Sequence, residues 1–373
     1  MTTAQLCRRC LLDATVPDIR FDATGQCNYC RDFEAVLERL PDAAERDRRR
    51  EALIAEIRRA GRGKRYDCVV GVSGGADSSY ALYLAVQSGL RPLAVHLDNG
   101  WNSELAVHNI AALVKRLGVD LYTHVIRWEE NRDLQRAFMA AHVIDIEMLM
   151  DSAMLATNFR AARKFGVRHI LSGSNSATEG MVMPPGWNHH KWDARNARAI
   201  HRRFGTMPVP SHPFYSLKDL ILDRYVRRIR WISFLDYFDY RKADAIALLK
   251  REFGYKPYPY KHYESVFTRY YQGEILPRKF GVDKRKLHLS ALVVSGQLSR
   301  EEALAQLAEP TYPDPVQRRH DREFVAKKLG YSLDELDAYL AAEPVPHSAY
   351  PSEEPVLRFL SRVSRIFSGV RNR

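Results

Sequence analysis

Two stretches of this 373-residue sequence place chemically competent residues at telling spacings. In Val69-Val70-Gly71-Val72-Ser73-Gly74-Gly75-Ala76-Asp77-Ser78-Ser79, a short β-branched run breaks at glycines and resumes as a helix-compatible pattern that stops at Gly89. Such a strand, glycine turn and helix aim backbone N–H groups and the positive helix end at one spot, and Gly74 and Gly75 let an anion approach the main chain. A phosphate is expected there. The spacing fits neither a Walker A loop nor a dinucleotide-binding turn; a glycine turn that merely joins strand to helix is the plain alternative. The second stretch pairs Cys7-Arg8-Arg9-Cys10 with Cys27-Asn28-Tyr29-Cys30, sixteen residues apart. Four thiolates at this spacing suit a closed tetrahedral structural Zn²⁺ site, Cys7, Cys10, Cys27 and Cys30 being the ligands. An iron–sulfur cluster could use the same four, and disulfides suit an exported protein better than one whose amino terminus lacks an export signal.

The elements that must position these residues alternate. Strand patterns at 68–72, 92–97, 121–126 and 168–171 are separated by helical ones, among them 78–88 and 103–117. This rhythm predicts an α/β fold, a mostly parallel sheet covered on both faces with ligands at the carboxyl ends of its strands. Three loops then converge on one crevice: the cradle, His96-Leu97-Asp98-Asn99-Gly100-Trp101-Asn102, and Ser172-Gly173-Ser174-Asn175-Ser176-Ala177-Thr178-Glu179-Gly180. In the second loop Asp98 could touch a base, ribose or metal or simply shape the turn, and in the third Glu179 is a candidate Mg²⁺ ligand. Residues 183–193 read as an irregular lid, with His189-His190 an ordinary exposed pair.

The expected organisation is a zinc-ribbon-like module at 1–32, a connecting helix at 33–64, the nucleotide domain at 65–212 and a helical, basic region for substrate or partner at 213–373. A formal charge of +12 favours anionic partners without choosing among them. Within the last region, 224–231 mixes cations with rings; it suits a nucleic-acid surface, though an amphipathic helix packing its apolar face is the commoner cause. The basic, apolar tail at 358–367 could lie on an anionic membrane or dock on protein. No run is apolar and long enough to cross a bilayer, so a cytoplasmic protein is expected.

Ser73-Gly74-Gly75-Ala76-Asp77-Ser78 resembles the SGGxDS signature of the PP-loop ATP pyrophosphatases, whose fold is adenine nucleotide alpha hydrolase-like. That likeness implies ATP cleaved between its α and β phosphates with Mg²⁺, and a nucleotide held by Ser73, Gly74, Gly75, Asp77, Ser78, Ser79, Asp98, Gly173 and Asn175. Several stretches together are similar to the N-acetyl sugar amidotransferase family of bacterial surface-polysaccharide synthesis: Cys7 to Cys30 with Pro17-Asp18-Ile19, the cradle, His96 to Asn102, Gly173 to Glu179, Lys261-His262-Tyr263-Glu264-Ser265 and Asp283-Lys284-Arg285. The resemblance runs from Cys7 to about residue 300 and implies conversion of a sugar acetamido group to an acetamidino group on a nucleotide-linked N-acetylated sugar. Asp77, Glu179, Lys284 and Arg285 are then the catalytic candidates. Trp101, Asn102, Lys261, His262, Tyr263, Glu264, Ser265, Arg269 and Lys279 are the candidates for holding the sugar. Ammonia would come from a separate glutaminase with a channel-forming subunit, since the chain has no Gly-x-Cys-x-Gly turn and position 2 is Thr. Rival readings are a tRNA-thiolating enzyme, disfavoured because only Cys68 remains outside the metal site, and a noncatalytic nucleotide sensor.

Overall fold

A computed structural model describes residues 5–258, 264–312 and 314–356. Lys261, His262 and Tyr263 and the tail at 358–367 lie outside the described residues. Five strands, β1 (Cys68–Gly71), β2 (Pro92–Asp98), β3 (Leu121–Val125), β4 (His169–Ser172) and β5 (Arg230–Ser233), form one sheet in the order β3-β2-β1-β4-β5. Every neighbouring pair is parallel. Two helices, α1 (Asn28–Leu37) and α2 (Ala43–Ala60), precede the sheet, and α3 (Ala76–Gln87), α4 (Glu104–Leu117), α5 (Trp128–Ala140) and α6 (Met148–Lys164) run between its first four strands.

Side chains alternate across a strand, so the central strand feeds two cores. Val70 packs with Leu82, Ala85 and Leu113 from α3 and α4. Val69, on the opposite face, packs with Leu93, Val95, Ala156, Phe159 and Ile170. Both strand residues are fully buried, which is why this segment reads as continuously apolar rather than alternating. The chain order reverses at β1, with β2 and β3 on one side and β4 and β5 on the other. A crevice opens outside the carboxyl ends at such a switch point. Since α6 leads into the parallel strand β4, it runs opposite to it and starts at this same edge.

The four strands foreseen from periodicity are present, and β5 is an addition. The segment 224–231, read as a helix with a buried apolar face, is instead a π-helical turn, Leu222–Val226, that passes into β5. Ile229 goes inside while Tyr225 and Val226 point to solvent. The stretch expected to form one connecting helix is two, α1 and α2, broken at Pro41, which has no N–H to continue a helix.

Candidate active site

The cradle follows β1. Gly74 has φ +85, and a Cβ there would stand 2.9 Å from the Ala106 carbonyl oxygen, so glycine is required on both counts. Gly75 is the N-cap of α3 and offers no side chain, so the first-turn N–H groups of that helix carry no side-chain cap. This is the arrangement that receives an anion. The Ser73 and Ser78 hydroxyls lie 3.1 Å apart at its rim, and Tyr258 donates to the Gly74 carbonyl at 3.1 Å, turning that acceptor toward the phenol. Ser79 is buried behind the turn, its Oγ without a partner, so it does not face a phosphate there as expected from the motif.

The third loop lies directly on the cradle. A Cβ on Gly173 would come within 2.6 Å of the Asp77 carbonyl carbon and the Ser78 nitrogen, an approach only glycine permits. Two residues on, Asn175 accepts from Thr178 N at 2.8 Å and caps the turn Ser176–Glu179, while its Nδ2 has no partner. Asp77 accepts a hydrogen bond from Tyr240 and lies 3.8 Å from Lys242 Nζ. Burial, reinforced by the Asp77 and Glu179 carboxylates, holds the Tyr240 phenol far above its ordinary pKa, so it stays a donor to Asp77. A cavity of about 110 Å³ adjoins this group, lined by Arg46, Asn175, Ala177, Asp236, Asp239 and Tyr240 among others.

The second loop is fixed by its own side chains. Asp98 Oδ1 accepts from Gly100 N at 2.9 Å, a turn role, and from Asn102 Nδ2 at 3.3 Å. His96 Nδ1 faces the Val72 carbonyl at 2.9 Å; a carbonyl only accepts, so Nδ1 carries the proton and Nε2 accepts from Asn102 at 3.0 Å. Asn102 also bridges antiparallel to Ser265, with Ser103 N donating to Glu264 O and Val266 N to Trp101 O, both at 2.9 Å. This short pairing carries the Glu264 carboxylate to the cradle, 3.9 Å from where a Gly75 Cβ would stand.

Other expected contacts belong to the scaffold. Trp101 is 1% exposed, donates to Gln135 Oε1 and packs on Trp128 and Phe267. Arg269 forks onto Asp321 at 2.5 and 2.6 Å. Lys279 donates to the Tyr339 and Ala342 carbonyls, holding the end of the helix Leu333–Ala341, and Arg285 binds Asp283 and the Glu309 carbonyl beyond the helix Arg300–Ala308. Cations serve helix carboxyl ends well, and Lys279, expected to hold the sugar, and Arg285, expected to be catalytic, are used there. Ser265 caps the helix Val266–Tyr270.

Lys284 is buried and lies 3.3 Å from Glu147 at the start of α6, hence at the crevice edge. Beside it Lys191 bridges Asp145 at 2.8 Å and Asp151 at 2.9 Å. His189 is not the exposed residue expected: it is buried, bonded to Asp193 at 2.8 Å and stacked on His347 with centroids 4.2 Å apart. Burial alone would raise the Asp145 carboxyl, but Lys191, Lys284 and the His189 N–H hold it down at about 2. A depressed carboxyl stabilises the fold above its ordinary value and loses that contribution as pH falls through the folded one. About 2 kcal/mol is therefore expected to disappear between about pH 4 and pH 2, a slope in urea-unfolding free energy that Asp145→Asn should flatten.

Away from the crevice, Cys7, Cys10, Cys27 and Cys30 are fully buried with their sulfurs all within 4.8 Å of one another. The Cys7–Cys30 and Cys10–Cys27 separations are 3.9 and 3.8 Å. A tetrahedron with metal–sulfur bonds of about 2.3 Å has edges of about 3.8 Å, so the cluster fits a four-thiolate ion and no disulfide. The Arg9 and Cys27 N–H groups donate to Cys7 Sγ, and Leu12 N–H to Cys10 Sγ, an orienting shell for the thiolates. It is the only such group of metal-ligating side chains among the described residues. The module is tied to the C-terminal region through Arg9 Nη2 to Val294 O and Leu11 N to Ser290 Oγ, both 3.1 Å.

Sheet order, cradle and cysteine cluster together define a parallel α/β protein with an N-terminal four-cysteine module and a helical C-terminal region. Residues 264–364 match the family described as "LPS biosynthesis protein WbpG-like, C-terminal domain". The chain's C-terminal part is thus WbpG-like, which fits the N-acetyl sugar amidotransferase-like family that its motifs resemble. Among solved structures, the NMN synthetase from Francisella tularensis aligns at 15% identity and a TM-score of 0.28, over 57% of this chain and 97% of that one. A likeness at that level bears on neither fold nor function. Comparison with curated proteins finds no match. No helix among the described residues is long and apolar enough to cross a membrane.

Proposed function

We propose that this chain is an ATP-dependent amidotransferase of lipopolysaccharide synthesis that converts the acetamido group of a nucleotide-linked N-acetylated sugar into an acetamidino group. The observation that carries this reading is the meeting of two regions: Glu264, at the start of the WbpG-like domain, stands against Gly75 of the phosphate cradle. A cradle serving only as a structural turn has no need of a carboxylate brought from 189 residues away in sequence by the Asn102–Ser265 pairing.

An amide is a poor electrophile until its oxygen becomes a leaving group. The amide oxygen attacks the α-phosphorus of ATP, and pyrophosphate departs into the N–H groups of the Ser73–Ser78 turn. Ammonia then adds to the imidate carbon, and AMP leaves with the former amide oxygen. Fixed N–H dipoles facing the developing phosphate charge supply much of the rate. Asp77 in the first turn after the cradle and Glu264 beside Gly75 would each be a single carboxylate ligand for Mg²⁺ arriving with the nucleotide, since that ion takes one or two carboxylates plus phosphate oxygens. Bound there, Mg²⁺ would neutralise phosphate charge. The cavity beside Tyr240 is lined by polar Asn175 and Asp239 and by apolar Leu40 and Phe238, a mixed lining suited to an acetamido group. The four thiolates are assigned to structural Zn²⁺, which leaves no open coordination position for chemistry. Ammonia is assigned to a separate glutaminase; glutamine supporting turnover by the purified chain alone would contradict that.

The tRNA-thiolation reading is weakened by Cys68, which is fully buried in β1 with its thiol pushed well above the ordinary value. No cysteine outside the metal cluster is then placed to relay sulfur. The test incubates the chain with ATP, Mg²⁺, ammonium and a panel of nucleotide-linked N-acetylated sugars, with bulk tRNA in parallel. Sugar-dependent pyrophosphate release with oxygen replaced by NH in the product is expected. Release dependent only on tRNA would overturn the proposal.

A further inference from the structure

The end of the sheet opposite the crevice carries a second unusual surface. Immediately before β5 the chain turns through Ile221, Tyr225 and Val226, which are 40%, 68% and 69% exposed. Arg228 then takes φ +57, a left-handed conformation uncommon outside glycine, and the chain enters the strand with Ile229 buried. Apolar side chains on an amphipathic segment ordinarily face inward; here the outermost ones face water.

Cations surround this tip. Arg224, Arg227 and Arg228 are exposed within it, and Arg168 lies beside it, since Arg230 N donates to the Arg168 carbonyl at 2.8 Å. Farther along the same edge come Arg65 and Lys64, the latter reaching the Gly166 carbonyl at 2.7 Å. Most carboxylates at this edge are already matched by cations: Asp223 by Arg163 and Arg227, Glu56 by Arg230, Asp120 by Arg65 and Asp67 by Arg91, while Asp219 accepts from the Ser216 N–H and hydroxyl. Among the described residues none comes within ion-pair distance of Arg168, Arg224 or Arg228. The edge therefore has surplus positive charge around a protruding apolar tip.

We infer that this amino-edge surface docks on an anionic lipid bilayer, with Ile221, Tyr225 and Val226 entering the headgroup boundary and the arginines on lipid phosphates. Saturated side chains such as Ile221 and Val226 gain from acyl surroundings and gain little from nucleobases, which ask for planar stacking partners. Tyr225, the ring at the tip, already has the Arg224 guanidinium 5.7 Å above it. A second copy of this basic chain would meet like charge. The orientation leaves the crevice at the carboxyl edge open to solution, and the inference does not depend on the reaction proposed above.

Full-length protein is sedimented with vesicles of phosphatidylcholine and phosphatidylglycerol, with vesicles of phosphatidylcholine alone, and with bulk tRNA as competitor. Binding to the anionic vesicles only is expected. Arg224→Glu/Arg228→Glu should weaken it at least about tenfold, each basic residue near such a surface contributing roughly a fivefold factor. Tyr225→Asp/Val226→Asp should weaken it comparably, and both variants, being at exposed positions, should keep the wild-type melting temperature. Equal binding by wild type and both variants would assign attachment to another part of the chain and overturn the inference. No vesicle binding, equal binding to neutral vesicles, or binding of tRNA alone would overturn it as well.

Discussion

Asp77→Ala is expected to lower ATP turnover by about 100- to 1000-fold, the range found when one preorganised charge-stabilising group is removed from a phosphate or oxyanion site. Asp77 sits in the first turn of α3, against the Gly173 backbone, with Tyr240 and Lys242 converging on its carboxylate. Its loss removes a candidate metal ligand in the first turn after the cradle and leaves a buried phenol unpaired, at a cost of about 1–3 kcal/mol in stability. Asp77→Asn separates the two effects. The amide oxygen can still accept from Tyr240, so most of the stability should return while turnover stays low. AMP formation and urea-unfolding midpoints, measured side by side, read both quantities. Turnover within about threefold of wild type in both variants would remove Asp77 from the cradle's chemistry.

Cys27→Ser is expected to lose the bound metal and most soluble protein together. Structural zinc in small four-ligand sites supplies about 10–16 kcal/mol of apparent binding free energy at neutral pH, which is comparable to or larger than the stability of an ordinary domain. Here the loss would spread, because Leu11 and Leu12 are fully buried and the module is bonded to the helix Arg285–Val294. That helix follows Lys284 directly and packs against Ser176–Glu179, so a loosened module disturbs the crevice as well. Elemental analysis of the soluble fraction gives metal per chain. An unchanged ratio in the variant would exclude Cys27 as a ligand, and retained solubility without metal would make the module independent of it.

The local parts of this architecture were legible in the sequence because each is written in neighbouring residues. Strand, glycine turn and helix are contiguous from Cys68 to Gln87, and the two cysteine pairs state their own spacing. What could not be read was assembled from a distance. Tyr240 and Tyr258 have no motif around them, yet one holds Asp77 and the other the Gly74 carbonyl. Glu264 was singled out for the substrate, and only the Asn102–Ser265 pairing reveals that it borders the phosphate cradle. Residue type also misled where it could not distinguish uses of the same charge: Arg269 and Lys279 read as sugar contacts and Arg285 as a catalytic candidate, whereas Asp321 and helix-end carbonyls take them. At 224–231 the apolar residues suggested one buried face, and a π turn followed by a strand divides them between core and solvent. His96 opens a recognised stretch, yet its role emerges only with its Val72 and Asn102 partners.

The most direct test of the proposed chemistry follows one oxygen atom. A nucleotide-linked N-acetylated sugar that supports turnover is prepared with ¹⁸O in its acetamido carbonyl and converted with ATP and ammonium. If the amide oxygen attacks the α-phosphorus, the label leaves the sugar and is recovered in AMP, with none in pyrophosphate. Label recovered in orthophosphate, or AMP formed without label while the sugar gains nitrogen, would contradict activation by adenylation.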